Sequence, residues 1–189
     1  SMEHYVKIAN DKGYSQEYLS DISKTIDFVS SKLRFMEARE YIDNLFGRDT
    51  IRQKELVNLF APQIKSMEAQ AIKVATAAAQ QESHGDVTLQ ILDIEENYGR
   101  RQYPRPGICV GLLHDSKEGK VVTAGIMSDA ITLRATEDSG FSVHQFIKHL
   151  EQSMPDAFPE GGGHKCAGSI KFVPRKRDDV LNALRAYLG

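Results

Sequence analysis

The sequence predicts an α/β fold, a mixed β-sheet of about five strands flanked by helices and preceded by an N-terminal helical connector. Three observations lead there. Through the first part of the chain, apolar residues recur three and four positions apart over long stretches, which is the period of a helix with one buried face. After His84-Gly85, short β-branched runs separated by turn residues replace that pattern. Two further helical stretches are interleaved with those runs, so strands and helices share one domain. The expected division is a helical connector region over 1–85 and an α/β domain over 86–189.

Taken in order, Leu19, Ile22, Ile26, Val29, Leu33 and Met36 form the first stripe. Ser15 is placed to cap it, and the helix is expected to continue through Tyr41, Ile42 and Leu45 to a stop at Gly47. A second helical region begins near Asp49 or Thr50, with Pro62 expected to kink or divide it. Ile64, Met67, Ala71, Val74 and Ala78 keep helical spacing beyond that proline. VTLQILDI (87–94), GICVGLLHD (107–115), KVVTAGIM (120–127) and DAITLRAT (129–136) read as strands. The second and third of these are expected to pair as a hairpin through SKEG, with Gly119 free to take positive φ. Ser142 caps a helix over VHQFIKHLEQSM, CAGSIKFV (166–173) reads as a strand, and DDVLNALRAYL closes the chain as a helix.

The composition is that of a globular domain, with 41% hydrophobic and 26% charged residues among 189. No apolar run reaches the length that spans a bilayer and no signal-peptide pattern opens the chain, so no membrane partner and a cytoplasmic setting are expected. Ser1-Met2 reads as a remnant ahead of an internal start, which makes the chain an expected part of a larger protein. Cys109 and Cys166 stand alone in apolar surroundings and read as reduced packing thiols. A net charge of −2 offers no global attraction for nucleic acid, so such binding would rest on local basic patches. Arg100, Arg101 and Arg105 form one, and Lys171, Arg175, Lys176 and Arg177 the other, with solvated surface charge as the alternative for each.

The stretch PEGGGHKCAG asks for a physical reason, because three consecutive glycines cost conformational entropy on folding. Gly161, Gly162 and Gly163 make either a loop or a phosphate cradle to which His164 adds a side-chain donor. Their place between a helix and a strand makes them an ordered corner and excludes an interdomain linker. Arg134, within the apolar run ITLRAT, needs an anionic partner, either a ligand or Glu137, Asp138 or Glu151.

SDAITLRAT, then SVHQFIKHL, then FPEGGGHKCAGSIKF together resemble the DHH-associated domain at the C-terminal side of DHH-family phosphoesterases, which include RecJ-like single-strand exonucleases, oligoribonucleases and cyclic-dinucleotide phosphodiesterases. The likeness is strongest over 128–173 and weaker from about residue 87. It implies that Arg134, Gly161, Gly162, Gly163 and His164 bind the substrate phosphate, that Ala167-Gly168 let the motif pack on the sheet, and that 86–189 is a DHH-associated substrate-binding domain. Cys166 stands where the family commonly has alanine. The resemblance further implies phosphodiester hydrolysis with two divalent metals, usually manganese, held by a separate N-terminal domain.

The Asp-His-His signature of that domain is missing from the sequence. His4, His84, His114, His144 and His149 are scattered, and His114-Asp115 reads as an ordinary hairpin end. No catalytic residue, metal ligand or cofactor is therefore expected on this chain, with manganese or magnesium expected in the N-terminal domain. The expected function is that of the C-terminal substrate-binding region of a RecJ-like phosphoesterase, inactive alone, whose partners are single-stranded nucleic acid or a nucleotide and the DHH metal domain of the same parent protein. Two readings of other classes stand beside it: a tRNA-binding module like the C-terminal domain of alanyl-tRNA synthetases, and a non-catalytic replication scaffold.

Overall fold

A computed structural model describes residues 7, 9–11 and 13–189, arranged as two compact units, Ser1–Ala69 and Gln70–Gly189. Ser1, Met2 and His4 lie outside the described residues. In the first unit the expected long helix is two, α1 (Gln16–Lys32) and α2 (Phe35–Leu45). Ser15 caps α1 by accepting from Tyr18 N. The break follows Ser30 and Ser31, whose hydroxyls both bond back to the Asp27 carbonyl at 3.0 and 2.6 Å and so compete with the helical ladder. Because the period is interrupted there, the stripe does not face one core: Val29 is buried, whereas Met36 is 71% exposed. Phe28 and Tyr41 pack on Phe60, and buried Gln53 donates to the Leu45 and Gly47 carbonyls at the end of α2. Helix α3 (Thr50–Ala78) carries Pro62 without being divided by it.

The second unit is built on a six-stranded mixed sheet in the order β1-β2-β3-β4-β6-β5. Strand β1 (Gln80–His84) turns through Gly85, at φ +61°, into β2 (Val87–Asp93). A single turn α4 (Ile94–Asn97), capped by Asp93, and α5 (Pro106–Asp115) then lead to β3 (Val121–Ile126). The expected strand over 107–115 and its hairpin are thus replaced by a helix. Strand β3 lies parallel to β2, a pairing that no tight hairpin can make and that requires a crossover connection. Pro106 at the first helical position pre-sets the helix, at the head of a short apolar run whose periodicity fits either state.

Strand β4 (Ala130–Ala135) pairs antiparallel with β3, and α6 (Val143–Ser153), capped by Ser142, follows. The glycine run forms neither a loop nor a corner. It is β5 (Glu160–His164), an edge strand joined by Lys165-Cys166 to β6 (Ala167–Lys171), before α7 (Arg177–Leu188) ends the chain. One sheet face buries Leu89, Ile91, Val122, Leu133 and Ile170 against α6 and α7. On the other, Leu92 packs with Cys109, Val110 and Leu113 of α5 and with Ala71 and Ala75 of α3.

Candidate functional site

Strand register decides which predicted residues meet. Arg134 on β4 lies opposite Ala167 on β6, and Ala167 lies opposite His164 on β5. Residues directly opposed across strands share a sheet face, so Arg134 and His164 rise on the same side, two strand spacings or about 10 Å apart at the backbone. Only the small Ala167 stands between them. Glu160, Gly162, Ser169 and Lys171 continue that face of β5 and β6, and all four are exposed.

Arg134 is half-buried and lies along α5, with its Nε 3.8 Å from where a Cβ on Gly111 would stand. Its Nη1 donates to the Leu133 carbonyl at 3.0 Å and its Nη2 to the Gly107 carbonyl at 3.3 Å. The bridge to Glu137, Asp138 or Glu151 that the sequence allowed does not form. Both partners are neutral carbonyls, and no carboxylate among the described residues pairs with the guanidinium. His164 is exposed at the end of β5.

The glycines divide by role. A Cβ on Gly161 would stand 2.6 Å from the Ser169 carbonyl oxygen, and one on Gly163, at φ +138°, 2.3 Å from that of Ala167. Gly168 faces the same crowding from Gly162 O and Val143. Glycine at these positions lets β5, β6 and α6 close on one another. Gly162 differs, because a Cβ there meets nothing within 4 Å, on the face shared with Arg134 and His164. His144, which the sequence left without a role, anchors the strand from α6 through Nε2 to the Gly163 carbonyl at 2.9 Å.

Three residues of the basic patches form ion pairs within the protein. Arg100 pairs with Glu95 and Asp129, and Asp129 chiefly holds the guanidinium in its charged form. Lys176 pairs with Asp156 and Asp179 at 2.6 and 3.2 Å, and Arg177 with Asp93 and Asp178. Arg101, Arg105, Lys171 and Arg175 are exposed. Both cysteines are free, and burial pushes the Cys109 thiol up to about 11. His114 ends α5 rather than a strand. Among the described residues no group of three or more His, Cys, Asp or Glu side chains is placed to hold a metal, so the ions implied by the resemblance have no fitting donor set there. No described helix is long and apolar enough to cross a membrane.

No protein-family model matches the chain. The uncharacterized protein MJ1198 of Methanocaldococcus jannaschii is 31% identical over 205 residues, covering 95% of this chain and 27% of the relative. Among solved structures, a DHH-domain protein described as a member of the S1P family of ribosomal proteins aligns with TM-score 0.84 and 28% identity, over 97% of this chain and 45% of that one. RecJ of Thermus thermophilus, solved with manganese, aligns with TM-score 0.54 and 17% identity over 88% of this chain and 23% of its own, a likeness of fold. The chain thus spans about a quarter of its curated relative's length. Its structural neighbours are DHH-domain proteins, RecJ among them, as the sequence resemblance implied.

Proposed function

We propose that residues 86–189 bind the phosphate backbone of single-stranded nucleic acid, as the substrate-binding region of a DHH phosphoesterase whose metal-dependent hydrolysis is carried out by a separate N-terminal domain. The observation that carries this is the row Arg134, Ala167, His164: a cation without a carboxylate partner among the described residues and an exposed histidine on one face, separated by a single methyl. A phosphodiester laid over Ala167 would accept from the Arg134 guanidinium and the His164 ring, with Gly162 leaving room for its close approach. Nothing in that geometry reads a base, so binding is sequence-tolerant and falls as salt rises.

Fluorescence anisotropy with a short single-stranded oligonucleotide tests the reading. Arg134→Ala and His164→Ala should each weaken binding by roughly 10-fold or more, the loss of a charge-assisted hydrogen bond being worth about 1.5–3 kcal/mol. Unchanged affinity in both folded variants defeats it.

A further inference from the structure

Phe158 stands in the left-handed region, at φ 48° and ψ 55°, and among the described residues no other residue except glycine has positive φ. The fold holds its backbone from both sides. Phe158 N donates to the Pro155 carbonyl at 3.1 Å, the carbonyl of fully buried Ala157 accepts from Val173 N at 3.0 Å, and Pro159 then leads into β5. Glycine takes such a position without steric penalty, so a phenylalanine there has to be offset by something its ring does. Packing within the protein does not supply it. The ring is largely exposed, whereas Phe141, Phe146 and Phe172 of the same unit are buried. No other aromatic side chain of the second unit is exposed among the described residues.

The surroundings decide what such a ring meets. Phe158 lies two residues ahead of β5, and four residues of chain, at most ~14 Å, separate it from Gly162, the open glycine of the Arg134 and His164 face. Lys171, opposite Glu160 in the strand register, and Arg175, two residues past Val173, are both exposed close by. Of the neighbouring acids, Asp156 is engaged by Lys176 and Asp129 by Arg100, while Glu160 is exposed. A lone ring among charged residues is not the apolar patch that a protein partner buries. An aromatic platform flanked by cations suits a ligand that is planar, aromatic and anionic, which is the chemistry of a nucleotide. We infer that Phe158 stacks on a nucleobase of the single strand whose phosphate lies over Ala167. Every base has a π-face, so this contact adds affinity without reading sequence. The inference rests on the reading of Arg134 and His164 as the phosphate site.

Fluorescence anisotropy with the full chain compares two probes, a short single-stranded oligonucleotide and a sugar–phosphate strand of the same length that lacks bases. Phe158→Gly removes the ring at a position that glycine favours, and its melting temperature reports that it is folded. It should weaken the oligonucleotide about 10-fold and leave the abasic strand unchanged, because stacking is lost and phosphate contacts are kept. Phe158→Trp should retain wild-type affinity. The sequence contains no tryptophan, so that single indole should be quenched by the oligonucleotide and not by the abasic strand. Unchanged oligonucleotide affinity in Phe158→Gly, an equal loss with both probes, or an indole that the saturating oligonucleotide leaves unquenched overturns the stacking role. Failure of the wild-type chain to bind either probe overturns both readings. If Arg134→Ala and His164→Ala leave both probes unaffected while Phe158→Gly weakens the oligonucleotide alone, the phosphate reading falls and the stacking contact stands.

Discussion

Replacing Gly163 by alanine should be among the most damaging single-methyl changes in the chain, while the same change at the adjacent Gly162 should be harmless to folding. At Gly163 the new Cβ would lie 2.3 Å from the Ala167 carbonyl oxygen and 2.6 Å from the Gly168 Cα, at φ +138°. Both obstacles are backbone atoms of the paired strand, so no rotamer change relieves them. Overpacking of that kind costs about 1–3 kcal/mol, and holding a residue with a Cβ in so sparsely populated a conformation costs about the same again. A combined loss of about 3 kcal/mol is a large share of the ~5–15 kcal/mol that holds a domain together. Alanine at Gly162 meets no atom within 4 Å, and its backbone is not at positive φ, so it should stabilise by ~0.4–1 kcal/mol through the unfolded state. Urea unfolding followed by far-UV circular dichroism separates the two. With slopes of ~1–3 kcal/mol/M the Gly163→Ala midpoint should fall by about 1 M or more. Equal shifts for both variants, or a Gly163→Ala midpoint at the wild-type value, would refute the division of the glycines into packing and open positions.

Phe158 is 68% exposed in a left-handed conformation, φ 48° and ψ 55°, that bulky side chains avoid. Phe158→Gly should therefore leave stability unchanged or raise it by up to about 1 kcal/mol, and a clear fall in the thermal midpoint would show that the ring carries packing energy. Arg185 on α7 reaches both oxygens of Glu82 on β1 at 2.8–3.1 Å and is the chief reason the carboxyl is held below its ordinary 4.5. That lowered value contributes stability above the unfolded carboxylate range and loses it as pH falls through the folded value. With both side chains about a third exposed, Glu82→Gln should cost about 1 kcal/mol at pH 7. The gap to wild type should close as pH drops below 4.5 in urea titrations, and a gap independent of pH would count against the ion pair.

Much of the second unit is legible because its elements announce themselves locally. Ser142 followed by Val143, Phe146, Ile147 and Leu150 specifies a capped amphipathic helix whatever surrounds it, and α6 has that cap and that buried face. Val121–Ile126 and Ala130–Ala135 are β-branched, apolar and bounded by turn residues, and both are strands. Two elements escape a local reading. Residues 107–115 are apolar on every side, so periodicity cannot tell a strand from a helix packed between layers, and the parallel pairing of β2 with β3 settles the matter. Strand β1, QQESH, has no strand propensity of its own and exists through its ladder with β2 and the ion pair of Glu82 with Arg185.

Composition and spacing by themselves determined an α/β domain after a helical segment, a pair of unpaired thiols, and a glycine–histidine motif together with a strand arginine as the residues to watch. They could not say that the glycines are a strand, because triple glycine carries no β signal and becomes one only through pairing with β6 and the close approach of α6. Nor could they say that Arg134 and His164 share a face, since a shift of register by one residue would have placed them on opposite sides. His114 shows the same limit. Its place before the SKEG turn suggested a hairpin end, whereas in the fold it lies on α5 with its ring against the buried hydroxyl of Thr123 on β3. Local physics chose the elements, and long-range pairing chose their neighbours. The face that Arg134 of β4 and His164 of β5 share belongs to the second kind of decision.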